Sequence, residues 1–131
     1  MRRHLAPDGL FAFDVFHANP ARLARAEEPE YEESRFHDGD DEIIRLATIR
    51  RDLATQTQDV VMRFERRRDG VAIGNETERF RMRWYHRYEL EHLLARAGFE
   101  VTALYGDFDR RPFHAASPEM IFVSRPAPRR A

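Results

Sequence analysis

Cysteine and lysine are both missing from the 131 residues. Without thiols the chain can form no disulfide, no thiolate zinc site and no cysteine nucleophile, so any metal would have to be held by histidine and carboxylates. Without lysine there is no Schiff base, no pyridoxal phosphate attachment and no P-loop lysine. The 22 basic side chains are therefore all arginine, set against 23 acidic ones for a formal net charge of −1. That balance gives no reason to expect nucleic acid as a partner. No apolar run approaches the roughly 20 residues that a membrane helix requires, and the first eight residues lack the apolar segment of a signal peptide, so a soluble, cytoplasmic chain with no membrane partner is expected. By length the sequence makes one domain, large enough for a core but about half the size of many doubly wound enzymes.

What is present begins with RRHLAPDGLFAFDVFHANP at residues 2–20, which reads as the end of a helix, a tight turn and a strand that stops in a polar loop. Leu5 and Ala6 end the helix, Pro7 cannot continue a ladder, and Asp8-Gly9 supplies a residue that tolerates positive φ. From Leu10 to Phe16 the run is apolar on both faces except for Asp14, as in a strand covered on both sides of a parallel sheet. Residues 21–42 are crowded with Glu and Asp, and Pro29 and Gly39 interrupt them, which predicts an acidic surface segment. Three stretches then alternate β-branched or aromatic residues with charge: IIRLATIRRDL, DVVMRFERRR and VAIGNETERFRMRW. Asp69-Gly70 is a strong hairpin signal and residues 55–58 a weaker turn, so residues 43–85 are expected to form a three-stranded antiparallel meander with one wet face. From His86 the period becomes helical, with Leu90, Leu93, Leu94 and Ala97 on one face and Gly98 in the C-terminal position. VTALYGDF from Val101 and MIFVSRP from Met120 read as two further strands.

In this order and spacing, the helix end HLAPDG, the strand LFAFDVF, the NP that follows, then WYHRYELEHLLARAGFEVTALYGDFD and a terminal EMIFVSRP resemble the C-terminal half of a class I S-adenosylmethionine-dependent methyltransferase. The similarity runs along most of the chain. Its most specific part is Glu89-Leu90, Leu93-Leu94 and Ala97 to Val101, which resembles the family's last helix and the entry to its sixth strand. Arg83-Trp84-Tyr85 resembles members that carry an antiparallel insertion over the substrate site, as some small-molecule and sugar N-methyltransferases do. The fold this implies is α/β, or α+β for the chain taken by itself. Residues 1–20 and 86–131 would form the C-terminal part of a Rossmann-like sheet with its helix, and residues 43–85 the insertion. By resemblance, Leu10 to Phe16 is the fifth strand, Val101 to Phe108 the sixth, and Met120 to Arg125 the seventh, inserted antiparallel between them.

The departure from the family is chemical. Its members bind the cofactor through a glycine-rich loop after the first strand and an acidic residue at the end of the second. The six glycines here, at 9, 39, 70, 74, 98 and 106, never make a G-x-G following a strand. S-adenosylmethionine is thus the cofactor of the complete family enzyme, with none expected for this chain alone and no cofactor-binding residue carried over. Asp14, His17 and Asn19 lie at or after the end of the first strand, the side where open α/β sheets place ligands. By resemblance this rim faces the methyl acceptor, and His17 would take a proton from an amine or hydroxyl during transfer. Asp14 and Asn19 equally suit loop capping beside Pro20. Trp84, Tyr85 and His86 either contact a substrate or serve as core and staple residues, and Asp107 and Asp109 either line an acceptor pocket or organise a loop. His37 with Asp38, Asp40 and Asp41 has the spacing of neither an EF-hand nor a helical histidine pair, so no metal is assigned. Arg66, Arg67 and Arg68 read as a solvated turn, or less readily as an anion site.

Two functions follow as expectations. One is a truncated or split methyltransferase, inactive alone and completed by an N-terminal half, that methylates a small-molecule acceptor. The other is a non-catalytic dimerisation or ligand-binding module of the same ancestry. An unpaired edge at Leu10 to Phe16 predicts a homodimer or a complementing partner.

Overall fold

In the computed structural model residues 4–6 and 8–128 are described. Their elements, in chain order, are β1 (Phe11–Phe16), α1 (Pro20–Leu23), β2 (Glu27–Asp38), β3 (Asp41–Asp52), β4 (Thr57–Arg68), β5 (Val71–Arg83), α2 (Arg87–Arg96), β6 (Phe99–Tyr105) and β7 (Glu119–Pro126). They form a mixed α/β architecture of two antiparallel sheets and few helices, divided into one compact unit of residues 1–19 with 84–131 and another of residues 20–83. Among the described residues no helix is long and apolar enough to cross a membrane.

The first unit holds a sheet of order β1-β7-β6, with β7 antiparallel to both neighbours. Here β7 lies between the two strands that resemble the fifth and sixth, as the resemblance implies. Phe11, Phe13 and Val15 of β1 stand opposite Ser124, Phe122 and Met120 of β7 and share their face. Leu90 and Leu94 of α2 pack onto that face with Phe99, Met120 and Phe122. The Phe13 and Phe122 rings stack at 5.5 Å, and Phe11 contacts both Phe13 and Phe99. β1 is not covered on both sides as its composition suggests. Ala12 and Asp14 are exposed, because α2 supplies apolar cover on one face only. α2 buries Leu90 and Leu94 alone; Leu93 is 47 % exposed and Ala97 is exposed, so the apolar stripe is narrower than its period suggests. Gly98 takes φ +80 and donates to the Ala95 carbonyl, ending the helix where expected.

Two local features depart from expectation. Gly9 is not in the left-handed region; its N–H donates to the Ala6 carbonyl at 2.9 Å, and a Cβ there would lie 3.0 Å from that oxygen, so close approach is what glycine allows. β6 ends at Tyr105 instead of reaching Phe108, since Gly106 and Asp107 already belong to a turn. The helix expected before Pro7 falls partly on residues 1–3, which, like Pro7 and the end of the PAPRR tail, lie outside the described residues.

The second unit is a four-stranded sheet of order β2-β3-β4-β5, one strand more than the three-stranded meander expected. The extra strand is the acidic segment. Gly39, at φ +63, turns a hairpin between β2 and β3 and does not interrupt a strand; Pro29 is accommodated where the edge register shifts between Glu28 and Tyr31. The acids of β2 face arginines of the inner strands: Glu33 pairs with Arg45, Glu30 with Arg63, and Glu28 with Arg51, whose side chain is 1 % exposed. Opposite charges across a ladder thus replace the apolar alternation that marks most strands. Asp69-Gly70, at φ 50 and 77, makes the expected tight hairpin between β4 and β5. The weaker turn also forms, with Asp52 Oδ1 accepting from the Ala54 N–H at 2.9 Å and Gln56 at φ 54.

Candidate functional site

The strand ends of the first unit gather several of the candidates. β1 and β6 run the same way, each antiparallel to β7, so their C-terminal ends meet where β7 begins. Main-chain bonds hold this rim together. The His17 N–H donates to the Pro118 carbonyl at 2.9 Å, the Glu119 N–H to the Gly106 carbonyl at 3.2 Å, and the Gly106 N–H to the Arg111 carbonyl at 2.8 Å. The loop from Gly106 to Pro118 is thereby folded against the end of β1.

His17 sits half-buried on this rim. Its Nδ1 lies 2.8 Å from the Ser117 carbonyl oxygen, and its ring meets Phe113 edge-on at 4.8 Å. A carbonyl only accepts, so Nδ1 carries the hydrogen and, in the neutral ring, Nε2 is the basic nitrogen. The partner is itself fixed: Ser117 is fully buried, its hydroxyl accepts from the His114 N–H at 2.9 Å, and its N–H donates to the His114 carbonyl at 3.0 Å. Gly106 makes room for it. A Cβ at Gly106 would come 2.1 Å from Ser117 Oγ and 2.8 Å from its Cβ. Ser117, Phe113 and Gly106 had escaped sequence reasoning; the Ser-Pro and Tyr-Gly-Asp turns mark loops but not what those loops touch.

The remaining candidates divide. Asn19 is half-buried just beyond His17, its N–H donating to the His17 carbonyl at 2.9 Å. Asp14 pairs in register with Ile121, on the face opposite Phe13 and α2, and is exposed. Asp107 Oδ1 accepts from the Phe108 N–H at 2.8 Å while the Asp107 carbonyl accepts from Arg110, a loop-organising arrangement. Arg111 holds the neighbouring Asp109 carboxyl below the usual carboxylate range. Only Ala97 and Gly98 separate α2 from β6, on which α2 packs, so the helix runs back along the strand and its N-terminus points to the same end as Tyr105. There Tyr85 packs against the core, and exposed His86 is the N-cap, its N–H donating to Glu89 Oε2 at 3.3 Å. Trp84 is 1 % exposed, and its indole N–H has no hydrogen-bond partner among the described residues.

Among the described residues Gly106 is the glycine that directly follows a strand of this sheet, and its open side is filled by Ser117, leaving no cradle in which backbone could approach a ligand.

No family model and no curated protein matches the sequence. Solved structures do match. The chain is similar to the CcbJ methyltransferase from Streptomyces caelestis, with 27 % identity, a TM-score of 0.72, and coverage of 97 % of this chain and 47 % of that one. An S-adenosylmethionine-dependent methyltransferase from Clostridium acetobutylicum matches with 12 % identity, a TM-score of 0.72, and 97 % and 48 % coverage. The amino pentose methyltransferase of calicheamicin biosynthesis from Micromonospora echinaspora matches with 18 % identity, a TM-score of 0.63, and 95 % and 46 % coverage. The chain spans about half the length of the solved structures it matches. With β7 antiparallel between β1 and β6, it carries the fold of about half of an S-adenosylmethionine-dependent methyltransferase, consistent with the C-terminal half.

Proposed function

We propose that the chain is the acceptor-side part of a split or truncated methyltransferase, inactive alone, which acts on a small-molecule amine or hydroxyl when another polypeptide supplies the cofactor loop. His17 carries the reading. Its Nδ1 is committed to a buried carbonyl, so Nε2 is set up to take the proton from the acceptor's nucleophilic atom and leave a lone pair there. The loop from Gly106 to Pro118 holds the imidazole, and Asn19, Asp107, Tyr85 and His86 frame the acceptor. The similarity to an amino pentose methyltransferase favours a small polar acceptor. A cytoplasmic setting belongs to the same reading.

The alternative, a non-catalytic dimerisation or ligand-binding module, draws support from β1. Among the described residues its second edge pairs with no strand, and its Ala12 and Asp14 face is exposed.

Co-expression of the chain with the polypeptide encoded directly upstream, followed by transfer of a labelled methyl group to amine and alcohol acceptors, separates the two readings. Activity that needs both polypeptides and falls at least tenfold in His17→Ala, with cofactor affinity unchanged, fits the first. No activity in any combination, with the chain self-associated, fits the second.

A further inference from the structure

The sheet of the first unit has one buried face and one open face. On the α2 side, Met120 and Phe122 of β7 have no solvent exposure. The alternate residues of the same strand, Ile121 and Val123, are only half-buried. Register carries this contrast across the sheet, with Ala12, Val123 and Ala103 in one cross-strand row and Asp14, Ile121 and Tyr105 in the next. Both rows lie on the face away from α2. Ala12 and Asp14 are exposed there, and Ala103 and Tyr105 half-buried. Among the described residues α2 is the helix of this unit, so no second helix lies over these rows.

Two observations bear on what covers them. The first is the kind of sheet. β1 and β6 run parallel to each other on either side of β7, and α/β sheets that already carry a helix on one face bury the other under helices as well. Ala12 and Ala103 flank Val123, which lets a helix come close to that row. The second is area. Strands of 6, 8 and 7 residues, rising about 3.3 Å per residue and set about 4.8 Å apart, make a face of roughly 300 Å². A stable interface takes about 800 Å² from each partner, so two copies packed by this face alone fall short. An occupant that also runs along the free edge of β1, which pairs with no strand among the described residues, gains both main-chain hydrogen bonds and the missing area.

We infer that the open face seats an amphipathic helix of the polypeptide that supplies the cofactor loop, its apolar stripe on Ala12, Ala103, Ile121 and Val123, and that the same polypeptide adds a strand beside β1. This rests on the methyl-transfer reading and names the surface by which the two polypeptides join.

Methyl NMR and one substitution test it. In the chain alone, the methyl groups of Ala12, Ala103, Ile121 and Val123 should be broadened by a soluble nitroxide, and Val123→Arg should keep the melting temperature within about 5 °C. With the polypeptide encoded directly upstream, these methyls should become shielded and show nuclear Overhauser contacts to a helix of that partner. Val123→Arg should then weaken the complex at least about tenfold. Unfolding of Val123→Arg in the chain alone, or methyls already shielded there, would overturn the inference, because the face would be covered by the chain itself or by a second copy. So would a complex that transfers methyl groups while these methyls stay accessible and Val123→Arg binds as tightly as the unaltered chain; the methyl-transfer reading would then stand without it. No complex and no transfer in any combination would overturn both.

Discussion

The carbonyl that accepts from His17 Nδ1 belongs to a serine with no solvent exposure, packed against the face of Gly106 where a side chain would otherwise project. The place of the hydrogen on the His17 ring is thus set by a backbone carbonyl. Nitrogen-15 NMR should find neutral His17 with its hydrogen on Nδ1; a ring protonated on Nε2 would remove the basis for a base at that atom. Gly106→Ala tests the support, since Ser117 has no room to retreat. It should destabilise by about 1 to 3 kcal/mol in urea unfolding and displace the His17 resonances, whereas an unperturbed protein would mean that the loop is not packed in this way. His17 could be singled out from sequence because it follows a strand at the ligand-bearing end of an α/β sheet. Its partner could not: Ser117 is 100 residues away, and it accepts through a carbonyl that every residue possesses.

Among the elements, β1, α2, β6 and β7 were legible because each carries an apolar period and a flanking turn. Their ends were less so, as with β6, which stops before Gly106. β2 was missed because its stabilising partners are distant arginines and its own residues are nearly all exposed polar ones. That origin makes the second sheet sensitive to acid. Arg68, then Arg66, hold the Asp41 carboxyl below its usual range; Arg63 does the same for Glu30, Arg35 for Glu32, Arg67 for Glu65 and Arg81 for Asp59. Because each folded value lies below the unfolded one, this stability is present above the ordinary carboxylate range near pH 4 and is lost as the pH falls through the folded values. Urea midpoints should therefore drop between pH 5 and pH 3, less steeply in Asp41→Asn; the same slope in both would disconnect Asp41 from the effect. In the first unit Leu94 is 6 % exposed, so Leu94→Ala should cost about 2 to 5 kcal/mol in urea unfolding. A loss under about 1 kcal/mol would mean that the face of α2 is wrongly assigned.

At the scale of the whole molecule, β1 leaves an edge with no paired strand among the described residues and the Ala12 and Asp14 face exposed. An edge of that kind invites another chain, and we expect a homodimer or a complex that buries more than about 1,000 Å². Light scattering behind a sizing column should give a mass above one chain; a clean monomer at micromolar concentration, with the β1 amides strongly protected from exchange, would show that the chain covers its own edge. The similarity to methyltransferase structures extends over nearly the whole chain and over about half of each of theirs. On the function proposed above, this chain supplies the acceptor side of the fold and another polypeptide supplies the cofactor side. Calorimetric titration of the purified chain with S-adenosylmethionine tests it most directly. The account predicts no saturable binding tighter than about 100 μM, and binding tighter than that, near −5.5 kcal/mol or better, would contradict it by requiring an organised pocket within these residues.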